Sequence, residues 1–236
     1  MTADPLVFLP GFLCDARLFW HQILDFSADR TVIAAPLLGA SVEEMAETVL
    51  ATLPPRFSLV GHWLGGLVAM EILRRAPDRV AEIALIDVSP LSESPQAAAM
   101  REQRIVKARA GRLDEMVLEE IPATALAPGE GREAVQALLL EMADAFGPEG
   151  FARQSRALMR RPDQQRALRN TRVRAMLICG EHDTICPPRR HEFLAELMPH
   201  AAFRLIPAAG HLSPLERPLE VTRALRDWLD APLLLR

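Results

Sequence analysis

The sequence predicts an α/β domain: a mostly parallel six-stranded sheet flanked by helices, with a helical cap inserted into it. Three observations lead there. Six short apolar runs alternate with helical segments, several helices carry their own start signals, and roughly 80 residues in the middle show helical periodicity without a strand-like run. Apolar strands separated by helices belong to parallel sheets covered on both faces.

The first strand is expected at Pro5 to Leu9, ending at Pro10-Gly11, with a helix over Leu18 to Leu24. Thr31 to Ala34 gives the second strand. Ser41-Val42-Glu43-Glu44 is a capping box, so a helix should follow to about Leu53. Phe57 to Val60 is the third strand and runs into a glycine-rich turn, then a helix over Leu67 to Arg75. Ile83 to Val88, Arg174 to Cys179 and Ala202 to Ile206 complete the strands. Helices are expected over His191 to Met198 and Leu215 to Leu229, the latter opened by a second capping box, Ser213-Pro214-Leu215-Glu216, with proline at the first helical position.

The middle stretch is too long for one crossover. Residues 1–90 and 171–236 are therefore expected to form the core, and 91–170 a cap over one end of the sheet. Turn signals at Ala127-Pro128-Gly129 and Gly147-Pro148-Glu149-Gly150 divide it. A set of surface helices with no role over the site is the plain alternative. Met116, Val117, Leu138, Met142 and Phe146 recur there at helical spacing and read first as core.

Composition narrows the function classes. The chain has 236 residues, half of them apolar, with a net charge of -4. That suffices for one domain with a substantial core. Mild acidity gives no footprint for nucleic acid or an anionic membrane. Arginines are dense between Arg101 and Arg169, but acids such as Glu119, Glu120 and Glu133 interleave with them, which reads as solvated helix faces. The start does not read as a signal peptide, and no apolar run reaches membrane-spanning length. Cys14, Cys179 and Cys186 have neither zinc-site nor disulfide spacing, so the expected compartment is the reducing cytoplasm. No metal cluster and no G-x-G-x-x-G after a strand is seen, so no cofactor is implied. The expected partner is a small molecule; oligomeric state is not legible.

The chemistry centres on Gly61-His62-Trp63-Leu64-Gly65. This is the frame of a nucleophile elbow, G-x-S-x-G, between a strand and a helix. The central residue of such a turn is held above the sheet edge in a strained conformation, and bulk two residues to either side would clash. Both glycines and the context are present; the serine is replaced by Trp63.

At these residues the chain resembles the α/β-hydrolase family, and within it small bacterial esterase-type members with an N-terminal L-P-G-F-L-C-D segment. The likeness spans essentially the whole length. It rests on Leu9-Pro10-Gly11-Phe12, Gly61-His62-x-Leu64-Gly65-Gly66, Gly180-Glu181-His182-Asp183 and Gly210-His211-Leu212-Ser213-Pro214-Leu215-Glu216-Arg217-Pro218, each at the end of an expected strand. The family's first two strands are missing, which leaves six. The resemblance implies Asp183 as the acid, His211 as the general base, and the backbone N–H groups of Phe12 and Leu64 as the oxyanion hole. Asp87 is the rival acid. His62 reads as a structural neighbour of the elbow. His211 could instead be an ordinary loop residue before Ser213, and Asp183 an Asx-turn or capping residue.

An indole has no nucleophilic oxygen, and its ring nitrogen only donates. The acyl-enzyme route is closed to the chain as it stands. Three readings of Trp63 stay open on sequence alone: a substitution in a working carboxylic-ester hydrolase, a non-catalytic relative that binds a small ligand under the cap, or different chemistry in which His211 and Asp183 activate water. Cys14, just past the oxyanion turn, is a weaker substitute nucleophile because it lies off the elbow. An apolar acyl group is a guess from composition alone.

Overall fold

A computed structural model describes residues 3–231. Its centre is one six-stranded sheet in the order β2-β1-β3-β4-β5-β6, every pair parallel. The strands are β1 (Leu6–Leu9), β2 (Val32–Ala34), β3 (Phe57–His62), β4 (Val80–Ile86), β5 (Arg174–Gly180) and β6 (Ala202–Ile206). All of β1 and β3 is buried, as is nearly all of β5, while at the edges β2 is mostly half-buried and β6 largely exposed. That gradient explains why the middle strands read as unbroken apolar runs.

The described residues form ten α-helices: α1 (Trp20–Phe26), α2 (Val42–Thr52), α3 (Leu64–Arg75), α4 (Pro95–Arg109), α5 (Leu113–Glu120), α6 (Arg132–Met159), α7 (Gln165–Asn170), α8 (Pro188–Leu197), α9 (Ser213–Glu216) and α10 (Pro218–Asp230). Helix α3 packs on β1, β3 and β4, with α2 against it; α8 covers β5 and β6; α1 and α10 pack on each other. Between β4 and β5, helices α4, α5 and α6 pack together, whereas α7 lies against α3 and α8. Helix α6 kinks at Gly147 (φ 63°, ψ -178°), where the sequence signalled a turn, and Pro148 follows it. Among the described residues no helix is long and apolar enough to cross a membrane.

Several boundaries differ from the sequence reading, each for a local reason. Strand β4 begins three residues early and stops at Ile86, because Asp87 turns the chain with φ 47°. Helix α3 starts at Leu64, directly on the elbow. The expected helix over Leu215 to Leu229 is two helices, broken at Arg217 (φ -138°, ψ 63°), because the residue before a proline avoids the helical region. The first capping box forms: Ser41 Oγ accepts from the Glu44 N–H at 3.2 Å, while Glu44 Oε2 accepts from the Ala40 N–H at 2.8 Å. The second does not. Ser213 lies inside α9, its hydroxyl donates to Asp87 at 2.6 Å, and Leu212 takes the cap position.

Candidate active site

The elbow is built as its sequence frame requires. Strand β3 ends at His62, Trp63 adopts φ 41° and ψ -104°, and α3 begins at the next residue. The Trp63 N–H donates to the Ile86 carbonyl at 3.0 Å, which pins the turn to β4. The flanking glycines are steric necessities. A Cβ on Gly61 would lie 2.5 Å from the Gly65 carbonyl oxygen, and one on Gly65 only 2.0 Å from that of Leu9. The latter approach seats the first turn of α3 against the end of β1, so the segments carrying Leu64 and Phe12 adjoin.

Trp63 is buried, with 4 % of its surface exposed. Its indole meets the His211 ring edge-on, centroids 4.6 Å apart, and the Phe12 ring at 5.4 Å. Phe12 in turn meets Phe151 of α6 at 5.5 Å. The loop carrying Phe12 is tied to α6 by the Leu13 N–H, which donates to Gln154 Oε1 at 2.7 Å.

His211 Nδ1 lies 2.9 Å from Asp183 Oδ2, both side chains fully buried. Asp183 Oδ1 accepts from the Ile185 and Cys186 N–H groups at 2.8 and 2.9 Å, an Asx-type turn that fixes the carboxylate. Although burial opposes the charge, the His211 ring and these amides hold the Asp183 carboxyl below its usual range. The His211 N–H donates to the Ala125 carbonyl at 2.7 Å. Its Nε2 is buried and has no hydrogen-bond partner among the described residues. The structure therefore gathers indole, imidazole and carboxylate from three distant segments at one end of the sheet.

Asp87 sits elsewhere. It accepts from the Gly180 N–H at 2.9 Å and from Ser213, tying the ends of β4 and β5 to the histidine loop. Burial, then repulsion from Asp183, pushes its carboxyl well above the usual range. His62 is buried beneath the loop, its Nε2 donating to the His211 carbonyl at 2.6 Å. Burial first, then His211, lowers its pKa to about 3, so it stays neutral. Cys14 is buried on the loop carrying Phe12 with its thiol directed to the Phe12 carbonyl at 3.4 Å, and burial pushes its pKa far up.

The sequence pointed to Glu216 only as a capping-box residue, not as a support of the histidine loop. Its carboxylate accepts from the N–H groups of Ala127 (2.6 Å), Gly210 (2.9 Å) and Leu212 (3.0 Å), fastening the histidine loop to the segment before α6. Its signals were that capping box and its place in the Gly210–Pro218 run. Spacing also hid two fully buried triples whose donor atoms lie within 4.8 Å of one another, Asp87/Cys179/His191 and Asp183/Cys186/His211. Burial raises the Cys179 and Cys186 thiols, which disfavours the thiolate a metal needs. The arginines of the insertion need a correction. Arg101 and Glu120 are not solvated; they pair at 2.8 Å with side chains 9 % and 3 % exposed.

A cavity of about 240 Å³ opens beside the elbow, bordered by Trp63, Leu67, Ser89, Glu93, Arg101, Arg161, Cys186 and Arg190 among others. Its wall is mixed, with Glu93 and three arginines on it beside Leu67, Leu91 and Ile185.

A parallel sheet with an elbow after its third strand, followed by an acid and a histidine beyond the last two strands, defines a hydrolase-type α/β protein. A family model described as the alpha/beta hydrolase family matches residues 6–225, and the chain belongs to that family. A pimeloyl-[acyl-carrier protein] methyl ester esterase from Chromobacterium violaceum is 29 % identical, over 91 % of this chain and 85 % of the relative. A putative carbamate hydrolase from Pseudomonas savastanoi pv. phaseolicola is 28 % identical, over 96 % and 94 %. Among solved structures, a thermophilic esterase from Thermogutta terrifontis superposes with a TM-score of 0.86 at 27 % identity, covering 97 % of this chain and 90 % of that one.

Proposed function

We propose that the chain is a carboxylic-ester hydrolase scaffold for a small acyl substrate, built around a nucleophile–Asp183–His211 triad and inert toward esters while Trp63 stands at the nucleophile position. The observation that carries this reading is the buried His211–Asp183 contact at 2.9 Å with the elbow residue 4.6 Å away, ring to ring. Asp183 orients the imidazole through Nδ1, which leaves Nε2 toward the reacting side. The amides of Phe12 and Leu64 are main-chain donors for a developing oxyanion and do not depend on the side chain at 63. In this reading the helices between β4 and β5 form the cap, since Phe151 and Ala125 touch the site. The esterase names of the relatives support the ester class.

The experiment is the Trp63→Ser variant assayed on short p-nitrophenyl esters. Turnover is expected, and His211→Ala in the same background should abolish it. A folded Trp63→Ser protein inactive across acyl lengths would refute the reading.

The second reading is a small-ligand binder on the same fold. It draws on the cavity, which adjoins the elbow while the indole is in place. It expects thermal stabilisation of the unaltered chain by a small acid or ester.

A further inference from the structure

We propose that the cavity beside Trp63 is an anion-recognition site that takes the carboxylate of a small molecule through Arg190, with Arg101 and Arg161 completing the wall. Three guanidinium groups and one carboxylate, Glu93, border about 240 Å³. Two of the arginines are already balanced. Glu93 accepts from Arg101 Nε at 3.0 Å and from Arg161 Nη1 at 2.7 Å; Glu120 accepts from Arg101 and Arg104, each at 2.8 Å, and Glu119 from Arg104 at 3.2 Å, so three arginines meet three carboxylates. Arg190 is different. It is half-buried at the third residue of α8, and its guanidinium has neither an acid nor a hydrogen-bond acceptor among the described residues. Arg101 Nη2 is likewise without an acceptor there.

A half-buried guanidinium whose donors meet no acceptor among the described residues is free to take a planar carboxylate. One unbalanced cation calls for one negative charge. Glu93 does not cancel the site, because Arg101 and Arg161 neutralise it while it holds them in place. Ser89, Ser92 and Ser94 add hydroxyls to the wall, and Trp63 and Leu67 add an apolar side. The volume lies below the ~300 Å³ at which drug-sized pockets begin. The geometry therefore fits a short chain with a carboxylate at the arginine end and an uncharged arm toward Trp63. In the restored enzyme that arm would carry the ester, a consequence that rests on the function proposed above. The binding claim does not.

The test uses monomethyl glutarate, with one carboxylate and one neutral ester arm, as probe and dimethyl glutarate as its uncharged counterpart, titrated calorimetrically into the unaltered chain. The monoester should bind, more weakly as salt is raised, and the diester at least about tenfold more weakly, as expected for loss of a charge-assisted contact. Arg190→Met should lower monoester affinity by a similar factor with an unchanged melting temperature. No heat at millimolar monoester, equal binding of the diester, or an Arg190→Met variant that binds as before would each overturn the proposal. A second arm separates the two claims in Trp63→Ser. Hydrolysis of monomethyl glutarate in preference to dimethyl glutarate, lost on Arg190→Met, supports both. Hydrolysis without that preference leaves the hydrolase standing and overturns the anion site's part in substrate choice. Monoester binding that depends on Arg190 in a protein that hydrolyses no ester leaves the anion site standing and overturns the hydrolase.

Discussion

Replacing Trp63 by serine should cost stability even as it opens a route to catalysis. The indole is 96 % covered and packs edge-on against His211 and Phe12. A buried tryptophan removes roughly 150–250 Å² from water. At about 25 cal/mol per Å² that is about 4–6 kcal/mol, an upper bound because the unfolded chain already covers part of it. The hole would not stay a sealed void, since it joins the polar cavity of about 240 Å³ that Trp63 borders, and water can enter. The expected loss is therefore about 2–4 kcal/mol, at the lower end for large aromatic truncations. For a chain of this length each kcal/mol moves the midpoint by roughly 2–4 °C, so Tm should fall by roughly 5–15 °C. Thermal and urea unfolding measure it. A double-mutant cycle with Phe12→Leu should show a coupling of about 0.5–1.5 kcal/mol, the worth of one aromatic pair. A serine variant that melts within about 1 °C of the parent, or a coupling of zero, would mean that the indole does not fill this site.

Acid should destabilise the fold through two buried histidines. Burial lowers the pKa of His62 to about 3 and that of His191 to about 4, against an ordinary 6.5. Between about pH 6.5 and 4 the unfolded chain binds protons that the folded chain refuses, so stability is full above that window and falls as pH drops, by up to about 1.4 kcal/mol per pH unit for each residue. Asp87, raised by burial, acts in the opposite sense and loses its contribution as pH rises. His62→Gln, which keeps a donor toward the His211 carbonyl, should make the slope of unfolding free energy between pH 4.5 and 6.5 distinctly shallower; an unchanged slope would exclude His62 as a source. Gly65→Ala should cost at least ~3 kcal/mol, because its Cβ meets rigid backbone at 2.0 Å, whereas Gly66→Ala, facing the Val88 side chain at 3.0 Å, should cost ~1 kcal/mol or less. Equal melting temperatures for the two would contradict the close approach of α3 to β1. Finally, Cys14, Cys179 and Cys186 should resist a disulfide reagent in the native protein and react fully in denaturant, since all three are buried with raised pKa values.

The sheet was legible because its inner strands are buried on both faces and so carry uninterrupted apolar runs, as in Phe57–Val60 and Arg174–Cys179. Strand β4 was read from Ile83, three residues late, because the apolar run begins there and Glu82 interrupts it on the N-terminal side. In the fold Glu82 pairs with Arg174 at 3.1 Å and accepts from Ser58 across the sheet, contacts that no local pattern encodes. The break at Arg217 was legible in principle from Pro218, but the apolar periodicity of α10 masked it. Asp183 and His211 could be placed by chain order, whereas their contact depends on how two neighbouring loops fold. The charged cavity could not be read at all. Glu93, Arg101, Arg161 and Arg190 come from separate segments, and each resembles an ordinary surface charge within its own window.

Keeping the elbow frame is weak evidence about catalysis. Gly61 and Gly65 answer to backbone contacts with Gly65 and Leu9, and any side chain at 63 would leave those contacts unchanged. A fold selected for packing alone would keep these glycines too. The imidazole is a different matter. His211 Nε2 lies buried without a partner among the described residues, beside an indole ring. An unmet buried polar atom costs about 1–3 kcal/mol, and an apolar residue there would avoid that. Glu216, Asp87 and Asp183 together hold this one loop in place through six hydrogen bonds or more. Among the described residues His62 Nδ1 and His191 Nδ1 are unpaired too, so what sets His211 apart is its contact with Asp183 and its place against the elbow residue, which supports the general-base role proposed above. The case for a hydrolase lacking its nucleophile therefore rests on His211 and its supports, and Trp63→Ser/His211→Ala is the comparison that decides it.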